Sequence, residues 1–278
     1  MLVCHTIKAL KKYLSKKGAK SVGFVPTMGA LHDAHISLIN ASKKENDLTV
    51  GSIFVNPQQF NNQSDLDKYP RSVVADLDKL ELAQCDVVFV PSVEEMYPQK
   101  VEKEFDFGTL SVVMEAAHRP GHFNGVAIVI ERFFEIINPT RAYFGEKDFQ
   151  QLAVIKALVK QLELPVEIVS CPILRESNGL AMSSRNERLS EVEKKQAGAI
   201  NRTLQQVAAQ KNKSVEALKK YFLDEMSQYE NFKVEYFEIA DAETLKPADS
   251  LDETKKYIAF TAVNVGEVRL IDNMPIID

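Results

Sequence analysis

Three short apolar segments in the first third of the chain limit the folds that are available to it. Residues 21–25, 48–55 and 86–90 read SVGFV, LTVGSIFV and DVVFV. Their β-branched and aromatic residues occupy successive positions, as expected for strands that are buried on both faces. Helical patterns separate these segments, and such an alternation predicts a parallel sheet that helices cover on both sides. Right-handed crossovers then give a doubly wound α/β fold.

The rest of this region continues the alternation. Further strands are predicted at residues 142–144 and 166–173, and helices at residues 6–17, from 31 or 32 onward, 72–83, 125–137 and 148–162. In doubly wound sheets, ligands bind beyond the carboxyl ends of the strands, near the point where the strand order reverses. Four polar loops follow predicted strands, namely PTMGALHDAH, NPQQF, GEKDFQQ and RESNGLAMSSRN. We therefore expect these loops to meet in one site.

A smaller unit is predicted after Asn186. Helices are expected at about residues 190–210 and 214–228, and strands at 233–239, 256–263 and 268–271. Helices followed by a group of strands indicate a separate α+β unit with a small antiparallel sheet. We place the domain boundary near Leu174, which gives domains of residues 1–174 and 175–278.

The segment SVGFVPTMGALHDAHI at residues 21–36 predicts a strand, a tight turn and a helix. The unpaired N–H groups and the positive end of a helix N-terminus suit phosphate. His32 and His35 are three residues apart, so both imidazoles could reach one ligand. An H-x-x-H pair alone is more often an incidental feature of a surface turn, so other segments must decide between the two interpretations.

Other side chains in the four loops have chemistry that suits a nucleotide and a small acid. Lys147 and Asp148 lie where a strand meets a helix, and the lysine could contact a phosphate, although a solvated pair of charges is an equal alternative. Ser183–Arg185 offers two hydroxyls and a guanidinium for polyphosphate oxygens, with a plain loop as the alternative. Gln59 and Gln151 could orient a hydroxy acid through their amides, although a lone glutamine is more often structural.

Composition excludes several classes of protein. The 278 residues carry a net charge of -5, and a broad nucleic-acid binder would usually show a basic excess. Neither an apolar run of membrane-spanning length nor a signal peptide is recognisable. The three widely spaced cysteines indicate reduced thiols in a cytoplasmic protein. Since the sequence shows no Ser-His-Asp pattern, metal-ligand cluster or Walker A lysine, covalent catalysis and dedicated metal binding are not indicated.

Six motifs together resemble the pantoate–β-alanine ligase family of the H-x-G-H nucleotidyltransferases. They are VPTMGALHDAH, SIFVNPQQF, YPR, RPGHFNGV, FGEKDFQQL and MSSRN, and the resemblance runs from Thr6 to Asn273. It implies a Rossmann-like nucleotidyltransferase domain followed by a smaller C-terminal domain. It also implies an ATP-dependent ligation of pantoate with β-alanine through a pantoyl adenylate, with Mg²⁺ as the counter-ion of ATP and a homodimeric assembly. The residues do not indicate which side chains would hold Mg²⁺.

The resemblance also assigns roles to individual residues. It implies that His35 is the general acid and that His32 and Lys147 assist catalysis, while Gln59 and Gln151 bind pantoate and Gln59 also lies near β-alanine. The implied ATP contacts are Met28, Gly29, Ala30, Leu31, His32, Asp33, Ala34, His35, Gly145, Glu146, Lys147, Asp148, Leu174, Met182, Ser183, Ser184 and Arg185.

Ala34 departs from the family pattern, which has glycine between the two histidines. A methyl group there would crowd a ring packed on the backbone, so we expect weaker ATP binding without loss of activity. Two alternatives stay open, another small-molecule nucleotidyltransferase and an ATP-binding sensor without turnover. Because the predicted domain boundary falls inside an implied ATP loop, we also expect residues 175–278 to close over the site and exclude water.

Overall fold

Two units are found in the computed structural model, which describes residues 1–60, 66–67 and 69–277. The first unit contains the described residues of Met1–Phe107, Arg119–Glu146 and Gln151–Pro172. The second contains Gly108–His118, Lys147–Gln150 and the described residues from Ile173 onward. The boundary at Leu174 and the lid role of residues 175–278 stay predictions.

The first unit is built on a six-stranded parallel sheet in the order β1-β4-β3-β2-β5-β6. The predicted doubly wound α/β fold is therefore confirmed. The strands are β1 Leu2–Cys4, β2 Val22–Thr27, β3 Leu48–Ile53, β4 Val87–Phe89, β5 Arg141–Gly145 and β6 Glu167–Cys171. The helices between β1 and β6 along the chain are α1 Ile7–Lys17, α2 Asp33–Glu45, α3 Val73–Leu82, α4 Val93–Met96, α5 Glu115–His118, α6 His122–Ile137 and α7 Phe149–Gln161. Of these, α5 belongs to the second unit.

The central strands are buried on both faces, as their continuous apolar sequences predict. Phe24 packs in the cluster on one face with Val50 and Phe133, while its neighbour Val25 packs in the cluster on the other face with Ile39. Successive side chains of a strand point to opposite faces, so two adjacent buried residues require cover on both sides. This arrangement explains why the strands show no alternation of polar and apolar residues.

The strand order reverses between β2 and β5, and Pro26 marks this place. The carbonyl of Val22 accepts from Thr140 on the β5 side at 2.8 Å, whereas the carbonyl of Thr27 accepts from Phe54 on the β3 side at 3.0 Å. By this alternation Pro26 faces β5, but the pairing of β2 with β5 ends at Phe24. The proline therefore costs no ladder hydrogen bond, and the two strands separate beyond Phe24.

The second unit contains helices followed by an antiparallel sheet, as predicted. Its long helices are α8 Glu191–Ala208 and α9 Val215–Met226, and its sheet has the order β7-β8-β9. The strands are β7 Phe232–Asp241, β8 Tyr257–Val265 and β9 Val268–Ile277. The rings of Phe222 and Phe237 stack at a centroid distance of 4.3 Å and join α9 to the sheet. Strand β9 extends beyond residue 271, the end predicted from the sequence.

Several boundaries differ from the predictions. Helix α6 begins at His122 rather than at residue 125, because Gly121 with φ 80° lies directly before it. Strands β3 and β6 end two residues earlier than predicted. Among the described residues, strand β1, the short helices α4 and α5, and four 3₁₀ turns were not predicted. The turns are Pro57–Gln59, Gly108–Ser111, Glu146–Asp148 and Ser184–Arg188. In the part of the chain that the structure describes, no helix is both long and apolar enough to span a membrane.

Candidate active site

The loop between β2 and α2 is held by a buried carboxylate that was not predicted from the sequence. The two oxygens of Asp76 on α3 accept the backbone N–H groups of Ala30 at 2.9 Å and Leu31 at 2.7 Å. Gly29 has φ 83°, and a Cβ there would lie 3.0 Å from an Asp76 oxygen. The loop can therefore approach the carboxylate only with glycine at this position. The sequence did contain a signal for this role. Asp76 lies one helical turn before Leu80, so an acidic residue falls on the buried, apolar face of α3.

His32 and His35 lie together where α2 begins. Their ring centroids are 4.0 Å apart, and the backbone N–H of His32 donates to Nδ1 of His35 at 3.3 Å. An imidazole nitrogen that accepts an N–H carries no proton. The ring N–H of a neutral His35 therefore lies on Nε2, near the positive end of the helix. The two rings lie side by side, as their spacing in the sequence predicts.

Ala34 lies between the histidines in the first turn of α2. Its carbonyl accepts the Ser37 hydroxyl at 2.8 Å, and its side chain is half-buried. Alanine stabilises a helix better than glycine does. The departure from the family pattern is therefore compatible with the helix that carries the histidines.

Gln59 belongs to the turn that follows β3, and its side chain is buried beside the first loop. Its Oε1 accepts from Asn56 at 3.2 Å, and its Nε2 donates to the Met28 sulfur at 3.1 Å. Asn56 also donates to the Gly125 carbonyl at 3.0 Å and accepts the Tyr97 hydroxyl at 2.9 Å. The fold thus brings Met28 and Gln59 into contact. Asn56 was not singled out from the sequence, although it caps the turn directly after an apolar strand.

His122 fixes the backbone of Gln59. Nη1 of Arg119 lies 3.2 Å from Nε2 of His122, and a guanidinium can only donate. Nε2 therefore accepts, and Nδ1–H donates to the Gln59 carbonyl at 2.8 Å. Helix α6 also passes very close to this turn, since a Cβ on Gly125 would lie 2.1 Å from the Gln58 carbonyl oxygen. The sequence RPGHFNG thus positions Gln59 from the opposite side.

The turn after β5 carries the predicted lysine. Gly145 ends β5, and Glu146–Asp148 forms one 3₁₀ turn before α7. Nζ of Lys147 lies 3.5 Å from an Asp148 oxygen, and the lysine side chain is 18% exposed. This weak pair leaves ammonium N–H groups available for an anion, because a lysine has three of them.

The two adjacent glutamines at the start of α7 have different roles. Gln150 is buried, and its Nε2 donates to the carbonyls of Leu110 and Val113, at 2.9 Å in each case. Its amide is therefore used in the structure. Gln151 is half-buried, which leaves the predicted substrate ligand accessible.

The loop of residues 174–185 forms a hairpin followed by a turn. The carbonyl of Leu174 accepts from the Met182 N–H at 3.0 Å. The hydroxyl oxygen of Ser183 accepts the Arg185 N–H at 3.3 Å, so its own O–H stays available as a donor. Ser184 is buried. These residues belong to the second unit, together with Lys147 and Asp148.

The order of the sheet confirms that several predicted loops share one edge. Strands β3, β2, β5 and β6 are parallel neighbours, so the segments that begin at Met28, Phe54, Glu146 and Pro172 all leave from the same edge. The paired histidines and the start of α2 follow β2, beside the place where the strand order reverses. A doubly wound sheet with a helix N-terminus and polar loops at this place defines a nucleotide-binding α/β protein.

Comparison with protein families agrees with this class. The model of the pantoate-beta-alanine ligase family matches residues 2–275. Pantothenate synthetase of Bacteroides fragilis is 49% identical over 278 residues, which cover 99% of this chain and 98% of the relative. Pantothenate synthetase of Porphyromonas gingivalis is 47% identical over 277 residues, which cover 99% of each chain. The chain therefore belongs to the pantoate-beta-alanine ligase family.

Solved structures show the same similarity. Pantothenate synthetase from Thermus thermophilus superimposes with a TM-score of 0.92 at 39% identity, with complete coverage of both chains. Pantoate-beta-alanine ligase from Francisella tularensis, in complex with beta-gamma ATP and beta-alanine, has a TM-score of 0.83 at 34% identity. That similarity covers 99% of this chain and 97% of the Francisella chain.

Proposed function

We propose that this chain is a ligase that condenses pantoate with β-alanine at the expense of ATP. The observation that carries the proposal is the His32–His35 pair at the start of α2, next to the loop in which Met28 contacts Gln59. The two histidines offer donors for a phosphate, and Gln59, which contacts Met28 of the same loop, offers an amide that suits a hydroxy acid. Membership of the ligase family, together with Francisella ligase bound to beta-gamma ATP and beta-alanine, supports the same reaction.

The first step forms an acyl adenylate. A carboxylate oxygen of pantoate attacks the α-phosphorus of ATP, and the bond to the bridging oxygen breaks to release pyrophosphate. Catalysis of such a transfer consists mostly of positioning and of stabilising the negative charge that develops on the phosphate oxygens. His35 acts through its Nε2–H, and His32 and the Lys147 ammonium supply further positive or donor groups to these oxygens.

The second step forms the amide. The amine of β-alanine attacks the acyl carbon of pantoyl adenylate, loses a proton and expels AMP. Gln59 and Gln151 hold pantoate through both steps, and Gln59 also orients the amine. Because Asn56 and His122 fix Gln59 from two sides, its amide is preorganised for this task.

The remaining ATP contacts come from two loops. Gly145–Asp148 and the loop with Leu174 and Met182–Arg185 bind the nucleotide, and the hydroxyls and guanidinium of residues 183–185 hold the departing pyrophosphate. Among the described residues, no three His, Cys, Asp or Glu side chains form a metal-binding group. We propose that Mg²⁺ enters with ATP, whose phosphates and bound waters can supply its ligands.

The reaction is tested by measuring pyrophosphate release with ATP, Mg²⁺ and pantoate. We expect about one equivalent per active site without β-alanine and sustained release with it, because the adenylate stays bound until an amine attacks. ATP binding without any pyrophosphate release would instead identify a sensor. Release with a phosphorylated acceptor but not with pantoate would identify another nucleotidyltransferase.

Lys147→Ala tests the role of the lysine. We expect turnover to fall by about 10²–10³, the loss that follows removal of one preorganised charge-stabilising donor. Lys160→Ala is the matched control, since Lys160 is an exposed lysine near the end of α7. An unchanged rate in Lys147→Ala would refute the assignment.

We also propose that the protein is a cytoplasmic homodimer, on the basis of its resemblance to the family. Light scattering coupled to size-exclusion chromatography measures the mass directly. A mass equal to one chain of 31.3 kDa would contradict the dimer.

A further inference from the structure

The turn that carries Lys147 is held by a side chain from the C-terminal sheet. Nδ2 of Asn273 on β9 donates to the backbone carbonyl of Lys147 at 3.0 Å. Asn273 is only 5% exposed, so this hydrogen bond is shielded from water. It fixes the backbone from which the lysine side chain starts.

The neighbouring residue anchors a second loop. Asp272 accepts both terminal nitrogens of Arg175, at 2.7 and 2.9 Å, and also accepts the backbone N–H of Asn273 at 2.8 Å. Arg175 in turn donates to the Gly179 carbonyl at 3.1 Å. A bidentate arginine–carboxylate pair has a defined geometry, so it fixes the orientation of the hairpin at residues 174–182. This hairpin leads directly into Ser183–Arg185.

Both anchored segments therefore depend on two consecutive residues of one strand. Asp272 and Asn273 lie on β9 and pair with Thr261 and Phe260 of β8. A β-strand within a sheet is more rigid than a turn or a hairpin loop, because its backbone is paired along its length. The strand thus holds both the Lys147 turn and the 174–182 hairpin, each through one side chain.

We propose that Asp272 and Asn273 are positioning residues, which hold the Lys147 turn and the hairpin before Ser183–Arg185 in a fixed mutual arrangement for the phosphates of ATP. The inference rests on the proposed function of Lys147 and of residues 183–185, and neither Asp272 nor Asn273 needs to contact ATP. The need for such a device follows from the side chain of lysine, which is flexible and presents a point charge. A displaced backbone would move the ammonium away from the charge that it stabilises.

Asn273→Ala removes the donor to the Lys147 carbonyl. We expect pantoate-dependent pyrophosphate release to fall by ~10- to 100-fold in kcat, with the KM for pantoate nearly unchanged, because an error of about 1 Å in position can cost about 100-fold. Asn264→Ala on β8 is the control, and it should keep the wild-type rate. If Asn273→Ala has the wild-type kcat, the proposal is wrong.

A second variant separates the hydrogen bond from the space that the side chain fills. Asn273→Asp has almost the same shape, but its carboxylate cannot donate to a carbonyl oxygen. We expect it to be at least as slow as Asn273→Ala, at a temperature where circular dichroism shows both variants folded. A folded Asn273→Asp enzyme with the wild-type kcat would overturn the role of the hydrogen bond.

A double-mutant cycle with Lys147→Ala identifies the residue through which Asn273 acts. If Asn273 acts through Lys147, the double variant is no slower than Lys147→Ala alone. If the two losses multiply, Asn273 acts elsewhere and the proposal fails. A wild-type rate in Lys147→Ala would contradict the proposed function of the lysine, whereas a slow Lys147→Ala with a normal Asn273→Ala would contradict only the positioning role.

Discussion

Replacing Gly125 with alanine should displace the turn that carries Gln59. A Cβ at this position would lie 2.1 Å from the Gln58 carbonyl oxygen, 2.4 Å from its carbon and 2.7 Å from the Gln59 Cα. All three atoms belong to the backbone, so no side-chain rotation relieves the clash. Since ordinary contacts begin at 3.4 Å, the turn and α6 must separate by about 1.3 Å, which is 3.4 minus 2.1.

This displacement has two measurable consequences. Overpacking of this kind typically costs about 1–3 kcal/mol of the free energy of unfolding. A shift of about 1 Å at a substrate ligand can also lower kcat/KM for pantoate by about 100-fold. The effect should reach the substrate because the Asn56 side chain contacts both the Gly125 carbonyl and the Gln59 amide.

Gly51→Ala on β3 provides the matched control for this experiment. A Cβ on Gly51 would meet its nearest atom, the Cys85 sulfur, at 3.5 Å, which is an ordinary contact. Thermal unfolding and pantoate-dependent pyrophosphate release should be measured for both variants. A folded Gly125→Ala enzyme with a wild-type KM and kcat for pantoate would refute the reasoning from the close approach.

Three further predictions concern other parts of the first unit. Asp76→Asn keeps one acceptor but turns an NH₂ group toward a loop N–H, so we expect a loss of about 1–3 kcal/mol in the free energy of unfolding. It should also raise the KM for ATP, and unchanged stability and KM would contradict the anchoring of the loop. Ala34→Gly should lower the KM for ATP while destabilising α2 by up to about 1 kcal/mol, and an unchanged KM would exclude the expected crowding. Burial raises the pKa of the Cys85 thiol to about 11, and it also raises the pKa values of Cys4 and Cys171. At about pH 8, only roughly 10⁻³ of the protein molecules carry Cys85 as the reactive thiolate. A disulfide reagent should therefore label the folded protein slowly, and it should label all three thiols after denaturation. Labelling of Cys85 in the folded protein should become faster as the pH approaches about 11.

The sequence alone determined the class of fold, because strands that are buried on both faces have nearly continuous apolar sequences. Phe24 and Val25 are adjacent, and each is fully buried on its own face of the sheet. The predicted end of α1 at residue 17 is also confirmed, and Gly18 follows it in the left-handed conformation that commonly ends a helix. The sequence also predicted that the rings of His32 and His35 lie side by side, since residues three apart on a helix lie on the same face whatever the rest of the chain does.

Only the tertiary structure revealed the contacts that hold the predicted residues in place. Asp76 accepts N–H groups from a loop 45 and 46 positions earlier, and Asn273 donates to a carbonyl 126 positions earlier. No local pattern specifies such pairs, because propensity and periodicity describe a residue's neighbours along the chain. Likewise, the structure used Gln150 for packing and left Gln151 accessible, although the two are adjacent and chemically identical. The direction of a side chain around a helix depends on what the helix packs against, and this is decided by the fold as a whole.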